Sequence, residues 1–235
     1  VRTFALLRRG LGDEARERGW PRALFALLAR LAGVVRESFP DRRRMRFGDI
    51  QYDLEHNVNT TWANVAFTTR LREALIAADY QTTDPLVFAE AMDMLKAHAD
   101  LEKFTFVDLG SGKGRVLLMA AEYPFRRIIG VELLPELDAI ARVNVSRDPR
   151  LELILADARD FVFPSDPFIL FLFNPFPTWV LRDVLRNLQR SLEAAPRAVF
   201  LIFHNAVHES ELATGAPGLR RLGGTYQFVL YGSVP

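Results

Sequence analysis

From residue 104 onward the chain alternates between two textures. Short apolar runs, FTFVDL (104–109), RIIGVEL (127–133), LELILA (151–156), FILFLF (168–173) and AVFLIF (198–203), are separated by mixed stretches at 115–122, 135–145 and 179–192. The runs are strand-length and lack obvious polar alternation, so they predict strands buried on both faces, with helices between them. That order predicts an α/β domain: a doubly wound, mostly parallel sheet covered on both sides. The tail RRLGGTYQFVLYG (220–232) breaks the pattern. Its glycine pair, followed by Tyr226, Phe228 and Leu230 at two-residue steps, predicts a tight turn into an antiparallel last strand.

Upstream the periodicity is helical. Residues 62–79 predict one helix and Pro85 to His98 another, with Asp84 as its cap and Pro85 in the first turn, where a missing N–H costs nothing. Leu24, Leu27, Leu28, Leu31 and Val35 recur at three- and four-residue steps, the mark of an amphipathic helix. The expected organisation is therefore a helical, arginine-rich extension over 1–79, concerned with acceptor recognition, and a ligand-binding domain over 80–235.

Charge changes the picture only locally. The whole chain carries a net charge of +1, so no global field points to nucleic acid, whereas the first fifty residues hold twelve arginines against six acids. The amphipathic helix there reads as one packed on a domain flank. A weak contact of residues 20–38 with a membrane surface, and a basic arm that recruits substrate, are the alternatives. The stretch 23–35 is too short to span a bilayer and contains Arg30. The absence of cysteine excludes disulfides, thiolate metal sites and cysteine nucleophiles; it fits a reducing compartment, and a cytoplasmic location is expected. No His/Asp/Glu spacing suggests a metal site.

The chemistry concentrates in FVDLGSGKGR (106–115). A phosphate-binding P-loop needs G-x-x-x-x-G-K-[ST], but here Gly112-Lys113 is followed by Gly114, and Val107 stands where the first glycine belongs. The dinucleotide pattern G-x-G-x-x-G also fails, because Gly110, Gly112 and Gly114 are spaced G-x-G-x-G and Arg115 takes the third glycine's place. Asp108, two residues before the first glycine, would repel a pyrophosphate and welcome a cation. The loop fits a ligand with a ribose, a positive charge and no phosphate, and Lys113 is expected to face solvent.

S-adenosylmethionine (SAM) is such a ligand, and the chain resembles the class I, seven-strand SAM-dependent methyltransferases over about residues 80–232. VDLGSGKG (107–114) is similar to their first motif, in which Asp108, Gly110, Ser111, Gly112 and Gly114 would surround the donor. GVEL (130–133) is similar to the second, implying that Glu132, followed by Leu133, meets the ribose hydroxyls. LADAR (155–159) resembles the third, with Asp157 and the Ala158 amide on the adenine. FNPF (173–176) stands where such enzymes keep their reaction-site motif. It resembles the [DN]-P-P-[YF] motif of methyltransferases acting on planar amines, but has one proline before the aromatic and Pro177 after it.

The resemblance implies that Asn174 accepts a hydrogen bond from the acceptor and touches the donor, that Pro175 stiffens the loop, and that Phe176 walls the methyl. In layout, YQTTDP (80–85), a helix, then the glycine loop also resembles the non-SET histone-lysine methyltransferases. That comparison would make Tyr80, Thr82 and Thr83 a lid on the donor. As a whole the chain is similar to bacterial SAM-dependent methyltransferases of unassigned substrate.

His204, at the end of the fifth apolar run, is a candidate base with an ordinary pKa near neutrality. The expected activity is in-line methyl transfer from SAM, leaving S-adenosylhomocysteine, to a nitrogen of a protein lysine or small-molecule amine. The alternatives are a non-catalytic SAM-binding module and a nicotinamide oxidoreductase.

Overall fold

The computed structural model describes residues 11–36, 50–61, 67–76, 81–146, 148–173 and 176–233. The chain divides into two compact units, Val1–Thr82 and Thr83–Pro235.

The described part of the first unit is helical: residues 11–18, Trp20–Arg36, Ile50–His56 and Phe67–Ile76. The Trp20–Arg36 helix buries Ala23 and Val34. Its Arg30 reaches the Phe67–Ile76 helix, donating from Nε to the Ala74 carbonyl at 2.9 Å, and forms a two-pronged ion pair with the buried Glu14. The expected helix over 62–79 is observed over Phe67–Ile76, and residues 62–66 and 77–79 lie outside the described residues. The short helix Ile50–His56 was not foreseen. Its Asp53 carboxylate accepts from the amides of Thr60 and Thr61 at 2.8 and 2.9 Å and ties down the turn beyond the helix.

The second unit is built on seven strands: β1 Thr105–Leu109, β2 Arg127–Glu132, β3 Leu151–Leu155, β4 Phe168–Phe173, β5 Val199–His204, β6 Leu219–Gly224 and β7 Phe228–Ser233. Helices α1 Pro85–Lys96, α2 Arg115–Ala121, α3 Pro135–Asn144, α4 Thr178–Ala194 and α5 Ser210–Gly215 connect them. The sheet order is β3-β2-β1-β4-β5-β7-β6. β1 to β5 are parallel, and β7 enters antiparallel between β5 and β6. The five apolar runs are β1 to β5. The tail is a hairpin: the glycine pair Gly223-Gly224 ends β6, and Tyr226, expected on a strand, lies exposed in the turn. Helix α5 was not foreseen, since six residues are too few to show a helical period.

The two faces of the sheet differ in composition. On one, Phe88 of α1 packs against Phe106 of β1 and Phe171 of β4, with ring centroids 6.1 and 5.7 Å apart. On the other, Leu181, Val184, Leu185 and Leu188 of α4 join Val107, Leu109, Leu170 and Leu201 in one buried cluster. Strand side chains alternate between these faces, so Asp108 and His204 project on the phenylalanine side. From β1 the chain moves to β2 and β3 on one side of the sheet, then returns to β4 on the other. The order reverses between β1 and β4, where open α/β sheets leave a crevice at the strands' carboxyl ends.

Candidate functional site at the carboxyl edge of the sheet

The glycine loop follows β1 directly, and each of its three glycines adopts positive φ: 87° at Gly110, 55° at Gly112 and 86° at Gly114. A side chain at Gly114 would also press on α3 and the residue after it, 3.4 Å from Ala141 Cβ and 3.2 Å from Val145 Cγ1. These three left-handed residues fold the loop back toward the end of β2. The amides of Gly110 and Ser111 donate to the Val131 carbonyl at 2.8 and 3.0 Å, Gly112 donates to Glu132 Oε2 at 2.8 Å, and Gly114 to the Ser111 carbonyl at 2.8 Å. Asn144 of α3 donates to the Lys113 carbonyl at 2.9 Å. Four loop amides are thus committed to protein acceptors. That is the opposite of a phosphate cradle, in which they point at the ligand.

Lys113 corrects an expectation. It is not in solvent but fully buried (0% exposed), a position fixed by packing that its place in a glycine-rich loop does not reveal. Gly130 matters although it was not singled out. A Cβ there would lie 2.5 Å from Leu117 Cδ1 of α2 and 2.9 Å from Ser111 Oγ.

Glu132 ends β2 and is buried. Its Oε1 accepts from the amides of Leu133 and Leu134 at 2.9 and 2.8 Å, and its Oε2 accepts from Gly112 alone. Oε2 therefore keeps acceptor capacity for a further donor. Burial pushes this carboxyl's pKa up, an effect the three amides offset only in part. Asp108 is buried with no hydrogen bond to its carboxylate among the described residues. Burial, and the Glu132 charge beside it, hold its pKa well above the usual carboxylate range. Ser111 Oγ is likewise buried without a partner among the described residues.

Beyond β3, Asp157 caps a short 3-10 turn at Ala158–Asp160 through Oδ1. Its carboxylate also pairs with the buried Arg159 guanidinium at 2.8 Å, and Arg159 lies over the Trp179 ring. Asp157 and Ala158 thus stand beside Glu132, whose carbonyl takes the Ala156 amide at 2.9 Å.

On the other side of β1, His204 lies flat on Phe173, with centroids 4.0 Å apart and planes 15° off parallel. The ring is buried and its Nδ1 has no partner among the described residues. Burial pushes its pKa down to about 4, opposed by Asp84, so the near-neutral value expected of it does not hold and the imidazole is uncharged at neutral pH. Thr83, just before the α1 cap, is buried, with Oγ1 unpartnered among the described residues. Phe176 is half-buried. Tyr80, Asn174 and Pro175 lie outside the described residues, and Thr82 ends the other unit.

The sheet thus brings Asp108, Gly110, Ser111, Gly112, Gly114, Glu132 and Leu133 together, with Asp157 and Ala158 on one flank and His204 on the other. The stacking of Phe173 on His204 and the Arg159–Asp157 pair were not anticipated. The pair had a faint local signal in its spacing of two residues. Among the described residues, no group of three or more His, Asp or Glu is placed to hold a metal ion.

Among the described residues, Ser111 Oγ, Thr83 Oγ1 and His204 Nδ1 are buried and unpartnered. A buried polar group left unsatisfied costs about 1–3 kcal/mol. In native proteins each such group calls for an explanation, of which an absent ligand is one.

Comparison with known proteins bears on which ligand. Residues 106–195 match the family described as "Methyltransferase domain". No curated protein matches the chain. Among solved structures, the N-methyltransferase NodS of Bradyrhizobium japonicum WM9 in complex with S-adenosyl-L-homocysteine is 10% identical. The alignment spans 63% of this chain and 86% of that one, with a TM-score of 0.49. A TehB-like SAM-dependent methyltransferase of Corynebacterium glutamicum is 17% identical over 71% and 94%, with a TM-score of 0.45. The 23S rRNA methyltransferase ErmE is 14% identical over 66% and 68%, also at 0.45. At these identities and scores the likenesses carry no statement about what this chain acts on.

Proposed function

We propose, from the match of residues 106–195 to the family described as "Methyltransferase domain", that the chain is a class I SAM-dependent methyltransferase and transfers a methyl group from SAM to a nitrogen of a small-molecule amine or protein lysine. The observation that carries the donor reading is Asp108: a buried carboxylate with no hydrogen-bonding partner among the described residues, beside a glycine loop four of whose amides are already taken. Such a pocket disfavours pyrophosphate and suits a ligand that is cationic and rich in donors. When bound, SAM supplies an electrophilic sulfonium methyl.

The residues present fit that ligand. Asp108 offers a negative charge to the cationic half, and Glu132 Oε2 has a lone pair for a sugar hydroxyl. Ser111 Oγ and Thr83 Oγ1 gain partners they otherwise lack. On the acceptor side, Phe173 and Phe176 exclude water, which strengthens every polar contact inside. The uncharged His204 is able to hold a proton at Nδ1, and its stack on Phe173 fixes the ring. Asn174 is assigned the acceptor's hydrogen bond on the strength of the FNPF resemblance. The preference for nitrogen rests on that same motif.

Calorimetric titration tests the donor half. SAM should bind and NAD should not. Asp108→Ala should weaken SAM about 10- to 100-fold, the value of a hydrogen bond to a charged group. Binding of NAD in place of SAM would overturn the reading, and an unchanged SAM affinity would remove Asp108 from it. For the acceptor, methyl-labelled SAM is incubated with fractionated lysate. Label on amine nitrogen is expected; label confined to oxygen or carbon defeats the nitrogen assignment.

A further inference from the structure

The Trp20–Arg36 helix has more apolar surface than its own unit uses. One side, with Ala23, Val34 and the Glu14-paired Arg30, is turned inward. Another side is bare: Trp20, Leu24, Leu28 and Val35, at steps of four, four and seven residues, are 52–65% exposed, with Phe25 beside them at 75%. Leaving five large apolar side chains in water along one helix is unusual for a monomeric surface.

The charge around that stripe identifies what covers it. The helix contains no acid, and Arg22 and Arg36 are exposed on it. Over the first fifty residues basic groups outnumber acids two to one. A protein partner with an apolar groove would not need the arginines, and a second copy of the same helix would bring its own positive charge against them. A bilayer with anionic headgroups satisfies both features, taking the apolar stripe into the acyl boundary and the arginines at the phosphates. Trp20, amphipathic and at the helix start, is the residue type enriched at that boundary. No described helix is long and apolar enough to cross a membrane, so the contact is one of lying on the surface.

We propose that the Trp20–Arg36 helix docks the protein on anionic lipid surfaces, with Trp20, Leu24, Phe25, Leu28 and Val35 in the acyl boundary and Arg22 and Arg36 on the headgroups.

The test is co-sedimentation of the full chain with vesicles. Binding to phosphatidylcholine vesicles containing a quarter phosphatidylglycerol should exceed binding to pure phosphatidylcholine at least tenfold, and should fall several-fold at high salt, as screening requires. Leu24→Ser with Phe25→Ser should lower it about tenfold with helix content by circular dichroism unchanged, because both side chains are exposed. Arg22→Gln with Arg36→Gln is the second variant and should weaken binding to the anionic vesicles alone. Equal binding to both vesicle types, or no binding, overturns the proposal. So does binding that both double variants leave intact. Self-association of the full chain that Leu24→Ser with Phe25→Ser abolishes, without vesicle binding, would assign the stripe to a second copy instead.

Discussion

Asp108 and Glu132 place two carboxyls side by side in the interior, and among the described residues neither makes an ion pair. Such a pair avoids its mutual repulsion by retaining a proton. The folded state binds the Asp108 proton more tightly than the unfolded chain does. Its contribution to stability is therefore full below the ordinary unfolded carboxylate range and is lost as pH rises through the raised folded value. Asp108→Asn should be nearly neutral to stability at low pH and relatively stabilising as pH climbs through that window, read from urea midpoints across pH. A cationic ligand favours the ionised carboxylate, so SAM binding in the same window should release a proton. Titrations in buffers of different ionisation enthalpy would detect it. Full proton release persisting in Asp108→Asn would assign the proton elsewhere.

At the scale of elements, the decisive unit is β1, the glycine loop and the ends of β2 and α3 acting together. Gly114 shows why. It begins α2 at a left-handed φ of 86°, with α3 and the residue after it in van der Waals reach of any added Cβ. The left-handed backbone alone costs an L-residue about 1–2 kcal/mol. Gly114→Ala should lower the stability of the chain by about that amount in urea unfolding and weaken SAM as well, since it displaces a loop that lies on the ligand side. Gly218, with nothing near its Cβ position, is the control: Gly218→Ala should fall within about 0.5 kcal/mol of the parent. If the two variants unfolded alike, the loop would not be under the constraint described.

For the whole molecule, the donor groups, Thr83 through His204, belong to one compact unit, and the exposed arginine-flanked helix belongs to the other. On the function and the lipid docking proposed above, we assign donor chemistry to Thr83–Pro235, and location and acceptor selection to the helical unit. A fragment of residues 81–235 should fold and bind SAM within about threefold of the full chain, yet methylate lysate fractions poorly. A fragment that folds, by circular dichroism, but binds SAM more than about tenfold weaker would mean that the helical unit contributes to the donor pocket.

Much of the fold was written in local pattern. Strands buried on both faces must be apolar throughout, so FILFLF and AVFLIF declare β4 and β5 without reference to anything distant. A loop that must visit left-handed backbone three times in five residues must be glycine at those places. Its spacing, G-x-G-x-G, differs from both phosphate-binding patterns. The hairpin of β6 and β7 was half legible, because a glycine pair marks a turn but not which side of it the turn lies on. Helices 50–56 and 210–215 were too short to show a period.

What tertiary structure alone decided is which polar groups end without partners. That Lys113 is buried, that His204 lies on Phe173 with Nδ1 bare, that Glu132 spends three of its acceptor positions on backbone while Asp108 spends none, all depend on residues far apart in sequence meeting at the sheet's edge. The sequence determines which chemistry each residue is able to offer. Packing determines which of those offers remain open, because a group is available to a ligand only where no neighbour has already taken it.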